Sequence, residues 1–141
     1  MIKPLQINID SKSPIPIYEQ LKFAIKLLVF SSYLMEGDQL TSIRDLSVQL
    51  KINPNTIIKV YNQLETEGFI TSRQGSGYYV NLDLTKTRKE KSQVFEVLSA
   101  EYIHKALSLG YSVDDILKLI NQRYGFHSQN RNKKETPFAA G

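Results

Sequence analysis

Four breaks in the pattern between residues 42 and 77 constrain most strongly what this chain can fold into. Ser42, with Asp45 three residues on, has the spacing of a helix N-cap and its capping-box partner. Asn53 followed by Pro54 marks a second helix start. The asparagine oxygen caps the first turn, and proline at the first helical position forfeits no needed amide hydrogen. Gly68 closes that helix. Gly75 and Gly77 lie in the loop QGSG between two β-rich runs, FITSR and YYVN, which is the pattern of a hairpin. The predicted order is a short helix over 42–50 with Ile43, Leu46 and Leu50 inward, a tight turn, a helix over 54–67, and a hairpin. That is a helix-turn-helix with a wing. Ahead of it come an extended arm over residues 1–15 and a helix from Pro16 to about Tyr33. Tyr18, Leu21, Ile25 and Leu28 keep helical spacing along its inward face.

The helix after Pro54 contains adjacent isoleucines, 57 and 58, which cannot share one face at 100° per residue. On a helical wheel Ile57, Val60, Tyr61 and Leu64 cluster as the buried stripe, and Asn55, Ile58, Lys59, Asn62 and Thr66 fall opposite. Those outward types suit a duplex groove. Asparagine meets adenine bidentately, lysine reaches guanine or phosphate, and an aliphatic group covers a thymine methyl. Arg44, near the start of the preceding helix, is placed for the groove edge or its backbone. Gln74, Gly75 and Ser76 in the wing loop suit a minor groove or a run of phosphates, because glycine permits close approach. Taken singly these features are ordinary: any exposed helix carries polar residues, and a glycine-rich hairpin is usually just a turn. The combination is what carries specificity.

The remainder reads as a linker over 81–90, then a helix from about Lys89 to Leu109 with a stripe of Val94, Leu98, Tyr102, Ala106 and Leu109. Gly110 ends it. A last helix starts at Ser112, again with an aspartate three residues on, and carries Val113, Ile116, Leu117, Ile120 and Tyr124 on one face. The polar, aperiodic stretch 126–141 reads as a disordered tail. Two helices of this length cannot enclose a core alone. Their stripes either fold back on the winged part or pair with a second copy. Pairing is the stronger reading, since a symmetric four-helix arrangement buries both stripes. The predicted homodimer interface is Val94, Leu98, Tyr102, Ile116, Ile120 and Tyr124. Three units follow: 1–81 as a winged-helix DNA-binding domain with its arm, 82–125 as a two-helix dimerisation module, and 126–141 as the tail. The fold class is mainly α with a small β-hairpin wing.

Composition narrows the function classes. The net charge of +4 is spread thinly: residues 1–80 carry 8 basic and 7 acidic side chains, residues 81–141 carry 10 and 7. Any nucleic-acid surface must therefore come from local placement. The linker residues Lys86, Arg88, Lys89 and Lys91 read as solvated. There is no cysteine, hence no disulfide or thiolate metal site, which is compatible with the cytoplasm. The longest apolar run, LLVF at 27–30, is far too short to span a bilayer. His104 and His127 are isolated, and no phosphate loop, nucleophile elbow or metal-ligand cluster appears. The chain is thus expected to be no enzyme and to hold no cofactor or metal. The competing class is a winged-helix protein–protein interaction module that does not read DNA sequence.

From Pro16 to Val80 the sequence resembles the GntR family of bacterial transcription regulators. The matching residues are PIYEQL and GDQLTSIRDLSVQLKINPNTIIKVYNQLETEGFITSRQGSGYYV. The segment EYIHKALSLGYSVDDILKLINQRY is similar to the short two-helix module of the YtrA-like subgroup. The resemblance implies a winged-helix regulator, a repressor in function, acting as a homodimer on a near-palindromic double-stranded DNA operator, with an ABC-transporter operon as target class. Two recognition helices would then sit about one helical turn apart, roughly 34 Å, or a small multiple of it. Carried over by position, the family's DNA-contacting sites fall on Ser42, Arg44, Asn53, Asn55, Thr56 and Ile58, with Gln74 and Gly75 in the wing. Lys59 and Ser76 join them from the reading of the residues. Thr41 stands where the family has proline, and Pro54 and Ile58 where some relatives have arginine, which separates this chain's operator from theirs. No motif assigns a small-molecule effector.

Overall fold

The computed structural model describes residues 2–125; the expected tail, 126–141, lies outside them. In chain order the elements are α1 (Ile17–Phe30), α2 (Ile43–Leu50), α3 (Pro54–Thr66), β1 (Ile70–Arg73), β2 (Gly77–Val80), α4 (Leu84–Ser108) and α5 (Val113–Tyr124). Contacts divide the chain between Thr87 and Arg88 into two units.

In the first unit the core forms where α1, α2, α3 and the hairpin meet. Leu21, Ile25, Leu46, Ile57, Val60, Tyr61 and Leu64 are all fully buried, and Phe69, Ile70 and Val80 extend the core under the wing. Each such aliphatic side chain contributes roughly 1.5–3 kcal/mol relative to an exposed position. The predicted α3 stripe is thus the buried one. In α1 the stripe is displaced. Tyr18 and Leu28 are half-buried, while Lys26, Val29 and Phe30 are buried. The helix ends three residues before Tyr33, because the chain reverses there. Ser32 takes a φ of 63°, and the amide of Leu34 returns to the carbonyl of Leu28 at 2.9 Å, which sends Leu34 into the core.

The N-terminal arm belongs to this core. Leu5 is fully buried and Ile7 nearly so. Gln49 Nε2 donates to the Leu5 carbonyl at 2.7 Å, and the Tyr33 hydroxyl donates to the Pro4 carbonyl at 2.8 Å. Lys3 pairs with Asp38 at 2.9 Å. The Met35 amide and then Lys3 hold the Asp38 carboxyl below its ordinary value.

Ser42 caps α2 by accepting from the Asp45 amide at 3.1 Å, although the return bond expected from the Asp45 side chain does not form. Lys51, with φ 55°, makes the sharp exit from α2, and Ser47 Oγ donates to the Ile52 carbonyl at 2.6 Å across the turn. The end of α3 is a Schellman arrangement: Phe69 N donates to Leu64 O at 2.9 Å and Gly68 N to Glu65 O at 3.2 Å, with Gly68 at φ 84°. That turn delivers Phe69 edge-on to Phe30 and starts β1. The strands β1 and β2 are antiparallel, with Ile70 opposite Val80 and Arg73 opposite Gly77.

Lys26 crosses the core boundary. Its Nζ lies 2.6 Å from Glu67 and 5.0 Å from the Phe69 ring centre, and Lys22 reaches the same carboxylate at 3.4 Å. Burial pushes the Glu67 carboxyl up. Hydrogen bonds from Lys26 and Gln63, with the charges of Lys26 and Lys22, outweigh burial and hold it below its ordinary value. A carboxyl with a depressed folded value stabilises the fold above its unfolded value, and that contribution disappears as pH falls through the folded one. Glu67→Gln is therefore expected to lose about 1–2 kcal/mol at neutral pH, less than for a wholly buried pair because the carboxylate keeps some solvent. Thermal melts of both proteins at neutral pH and near pH 3 check it: the gap should close in acid. A gap unchanged in acid would assign the loss to packing.

The helix α4 begins five residues earlier than predicted. The linker reading of residues 84–90 is corrected: they are helical, with no glycine or proline to stop them. The Asp83 carboxylate accepts from the Lys86 amide at 3.2 Å, and Thr87 Oγ1 donates back to the Asp83 carbonyl at 2.8 Å. Lys86, Arg88, Lys89 and Lys91 thus lie on a helix. Around Gly110 (φ 93°) the chain turns into α5, whose Ser112–Asp115 capping box is complete. The amide of Ser112 and then its side chain hold the Asp115 carboxyl below its ordinary value. No α4 residue is buried, and in α5 only Ile116 is.

Candidate nucleic-acid interface

The exposed side of α3 is built by the caps at its start. Asn53 Oδ1 accepts from the Asn55 amide at 2.9 Å, which satisfies one of the free N–H groups of the first turn, and Asn53 itself is exposed. Pro54 starts the helix. From there Asn55, Ile58, Lys59 and Asn62 are exposed and Thr56 is half-buried, on the side opposite Ile57, Val60, Tyr61 and Leu64. Thr66 Oγ1 turns back to the Asn62 carbonyl at 3.0 Å. Ile58, at 38% exposed, is the apolar member of an otherwise polar face.

Arg44, in the first turn of α2, is exposed and takes part in none of the ion pairs among the described residues, so neither Asp45 nor Glu19 neutralises it. Ser42 is exposed beside it, its oxygen engaged by the Asp45 amide and its hydroxyl hydrogen still available. The wing loop is exposed at Gln74, Gly75 and Ser76, with Gly75 at φ 74° and the Ser76 amide returning to the Arg73 carbonyl at 3.0 Å.

An open groove of about 560 Å³ runs along α3, lined by Thr56, Lys59, Asn62, Gln63 and Thr66 and closed on one side by Tyr18 from the first turn of α1. Tyr18 keeps the helical spacing of Leu21 and Ile25, yet unlike them it is only half-buried and lines this groove. Tyr61 anchors all three parts. Its hydroxyl donates to the Thr41 carbonyl at 2.6 Å, just before α2, and its ring meets Tyr78 of β2 edge-on at 4.9 Å. Burial, and then the neighbouring Tyr78, push its phenol well above the ordinary value, so it stays a neutral donor. Among the described residues no cluster could hold a metal ion and no helix is long and apolar enough to cross a membrane.

A cap-started helix with one polar face, a basic side chain in the preceding helix and a glycine-bearing hairpin beside it define a winged helix-turn-helix DNA-binding domain. The comparisons agree and go further. Residues 17–80 match the model of bacterial regulatory proteins of the gntR family. The transcriptional repressor YtrA of Bacillus subtilis is 39% identical over 84 residues, which are 60% of this chain and 65% of that protein's length. A GntR family transcriptional regulator from Listeria monocytogenes superposes with a TM-score of 0.69 at 26% identity, covering 81% of this chain and 98% of that one. YtrA from Sulfolobus acidocaldarius, a GntR-family transcription factor, is 35% identical with a TM-score of 0.53, covering 66% of this chain and 97% of that one. The chain belongs to the GntR family of transcription regulators, which are not enzymes.

Proposed function

We propose that this regulator is a homodimeric repressor that reads a near-palindromic operator, with Ser42, Arg44, Asn53, Asn55, Thr56, Ile58, Lys59, Gln74, Gly75 and Ser76 as its DNA contacts. The observation that carries the reading is the division of α3: one side fully buried, the other exposed and bearing amides, an ammonium and one aliphatic group. Residues 1–81 supply the reading head, and residues 82–125 join two copies through Val94, Leu98, Tyr102, Ile116, Ile120 and Tyr124. Repression is supported by similarity to a protein named as a repressor. An ABC-transporter operon is the target class that the YtrA-like resemblance favours.

Selection of bound duplexes from a random pool by the purified protein tests this directly. A two-fold symmetric motif with half-sites near one turn apart is expected; recovery of no preferred sequence would leave the interaction-module reading in its place. On the selected duplex, Arg44→Ala and Asn55→Ala are each expected to lower affinity by about 1–3 kcal/mol without changing the dimer. Gel-shift titrations at fixed salt measure it, and unchanged binding would remove these two residues from the interface. Lys59→Ala should weaken binding more evenly across sequences, with a salt dependence shallower by about one ion. An identical salt slope would mean that Lys59 meets no phosphate.

A further inference from the structure

Arg73 ends β1 with its guanidinium carbon 4.0 Å from the centre of the Tyr79 ring. The strand register explains why they meet. Thr71 lies opposite Tyr79 and Arg73 opposite Gly77, so all four share the outer face of the ribbon, while Ile70, Ser72, Tyr78 and Val80 share the face over the core. Arg73 is exposed and enters none of the ion pairs among the described residues. A large ring on the solvent side of a two-stranded wing has no core to fill. Here it serves as a platform under a cation.

The platform is itself held. The Tyr79 hydroxyl is hydrogen-bonded to Ser76 Oγ in the loop. Gln39 pairs with Tyr79 through its backbone, and its Nε2 donates to the Ser76 carbonyl at 3.0 Å. Gly77 makes room for that amide: a Cβ there would come within 3.2 Å of Gln39 Nε2, at a backbone φ of +125° that side chains rarely adopt. The loop is therefore clamped from the side, and Arg73 stands over the Tyr79 ring next to Gln74 and Gly75.

We propose that Arg73 is a further DNA-contacting residue, entering the minor groove that flanks the half-site, with Tyr79 as its positioning residue. A planar guanidinium whose face is already covered by a ring keeps its N–H edge free. It has lost rotamer freedom before binding, which lowers the ordering cost at the interface. A narrow A·T minor groove concentrates negative potential and attracts such a group, whereas the guanine amino group obstructs the groove floor. This inference rests on the DNA-binding reading above and adds a contact on which no base-reading residue of α3 depends.

The probe is the duplex selected by the wild-type protein, with flanks of A·T, G·C or inosine·C, the last restoring an amino-free minor groove while keeping the major-groove edge of G·C. Wild type is expected to bind A·T and inosine·C flanks alike and G·C flanks about tenfold more weakly. Arg73→Ala should lose about tenfold on the A·T flank, become indifferent to the flank, and show a salt slope smaller by about one. Tyr79→Leu should lose severalfold, and Tyr79→Phe, which keeps the ring, should bind like wild type. Melting temperatures of all three variants should stay near wild type, since Arg73 is exposed and Tyr79 only half-buried, outside the core. Arg73→Ala titrating like wild type, or losing equally on all three flanks, would overturn the assignment. Wild type selecting no sequence at all would instead overturn the DNA-binding reading on which it rests.

Discussion

Leu98→Asp and Ile120→Asp are each expected to convert the protein to monomers and to weaken binding to a two-half-site operator by roughly 10²–10⁴-fold. The magnitude follows from linkage: in a dimer the second recognition helix meets its half-site at a high effective concentration, and separating the copies removes that gain without touching a base contact. Leu98 is 49% exposed and Ile120 43% exposed within a single chain. A carboxylate at either place therefore costs the isolated fold little, whereas buried between two copies it would be an unpaired charge. Tyr102 and Tyr124 stand exposed on the same two helices, as do Leu107 and Leu117. So much apolar surface on helices that bury almost nothing of their own supports the proposed pairing. Sedimentation gives the mass, and gel shifts on full and half operators give the affinity. Both variants should bind a half-site as tightly as the wild type's single head does. Wild-type mass with wild-type affinity would refute pairing through this face.

Much of the reading head was legible because local rules decide it. The sides of α3 separate cleanly on a wheel, and the caps at Ser42, Asn53 and Ser112 are short-range events that their spacing announces. What escaped was decided across the chain. Leu5 and Ile7 alternate as a half-buried strand would, yet Gln49, which holds the Leu5 carbonyl, lies more than forty residues away in sequence. Lys26 reads as a solvated charge until Glu67, at the far end of α3, comes beside it. The early start of α4 was hidden by a basic run that resembles a linker. Lysine, arginine and glutamate are good helix formers, and Asp83 was the available cap. Tyr18 shares the helical spacing of the buried Leu21 and Ile25, so spacing alone does not separate it from them. The fold turns it to the groove beside Lys59, with Lys22 Nζ 5.6 Å from its ring centre.

Tyr61→Ala is expected to cost the winged unit about 3–5 kcal/mol, the range for deleting a buried aromatic side chain. The side chain is fully buried and does three things at once. It fills the space between α2 and α3, supports Tyr78 edge-on, and satisfies the Thr41 carbonyl where the chain enters α2. Since a domain of this size holds only some 5–15 kcal/mol in total, the loss amounts to a fifth or more of its stability. With ~4–8 °C per kcal/mol for domains of 60–100 residues, melting should fall by roughly 12–40 °C. Tyr61→Phe separates the contributions. It keeps the ring and strands one carbonyl, for about 1 kcal/mol, and its operator affinity should match wild type because wing and α2 keep their support. In Tyr61→Ala the surviving folded fraction should bind more weakly, since Arg44 and the wing then lose the group that fixes both against α3. Urea titration and gel shift on the same preparations distinguish these effects. If Tyr61→Phe fell as far as Tyr61→Ala, the hydrogen bond to Thr41 rather than the packed ring would be what holds the reading head together.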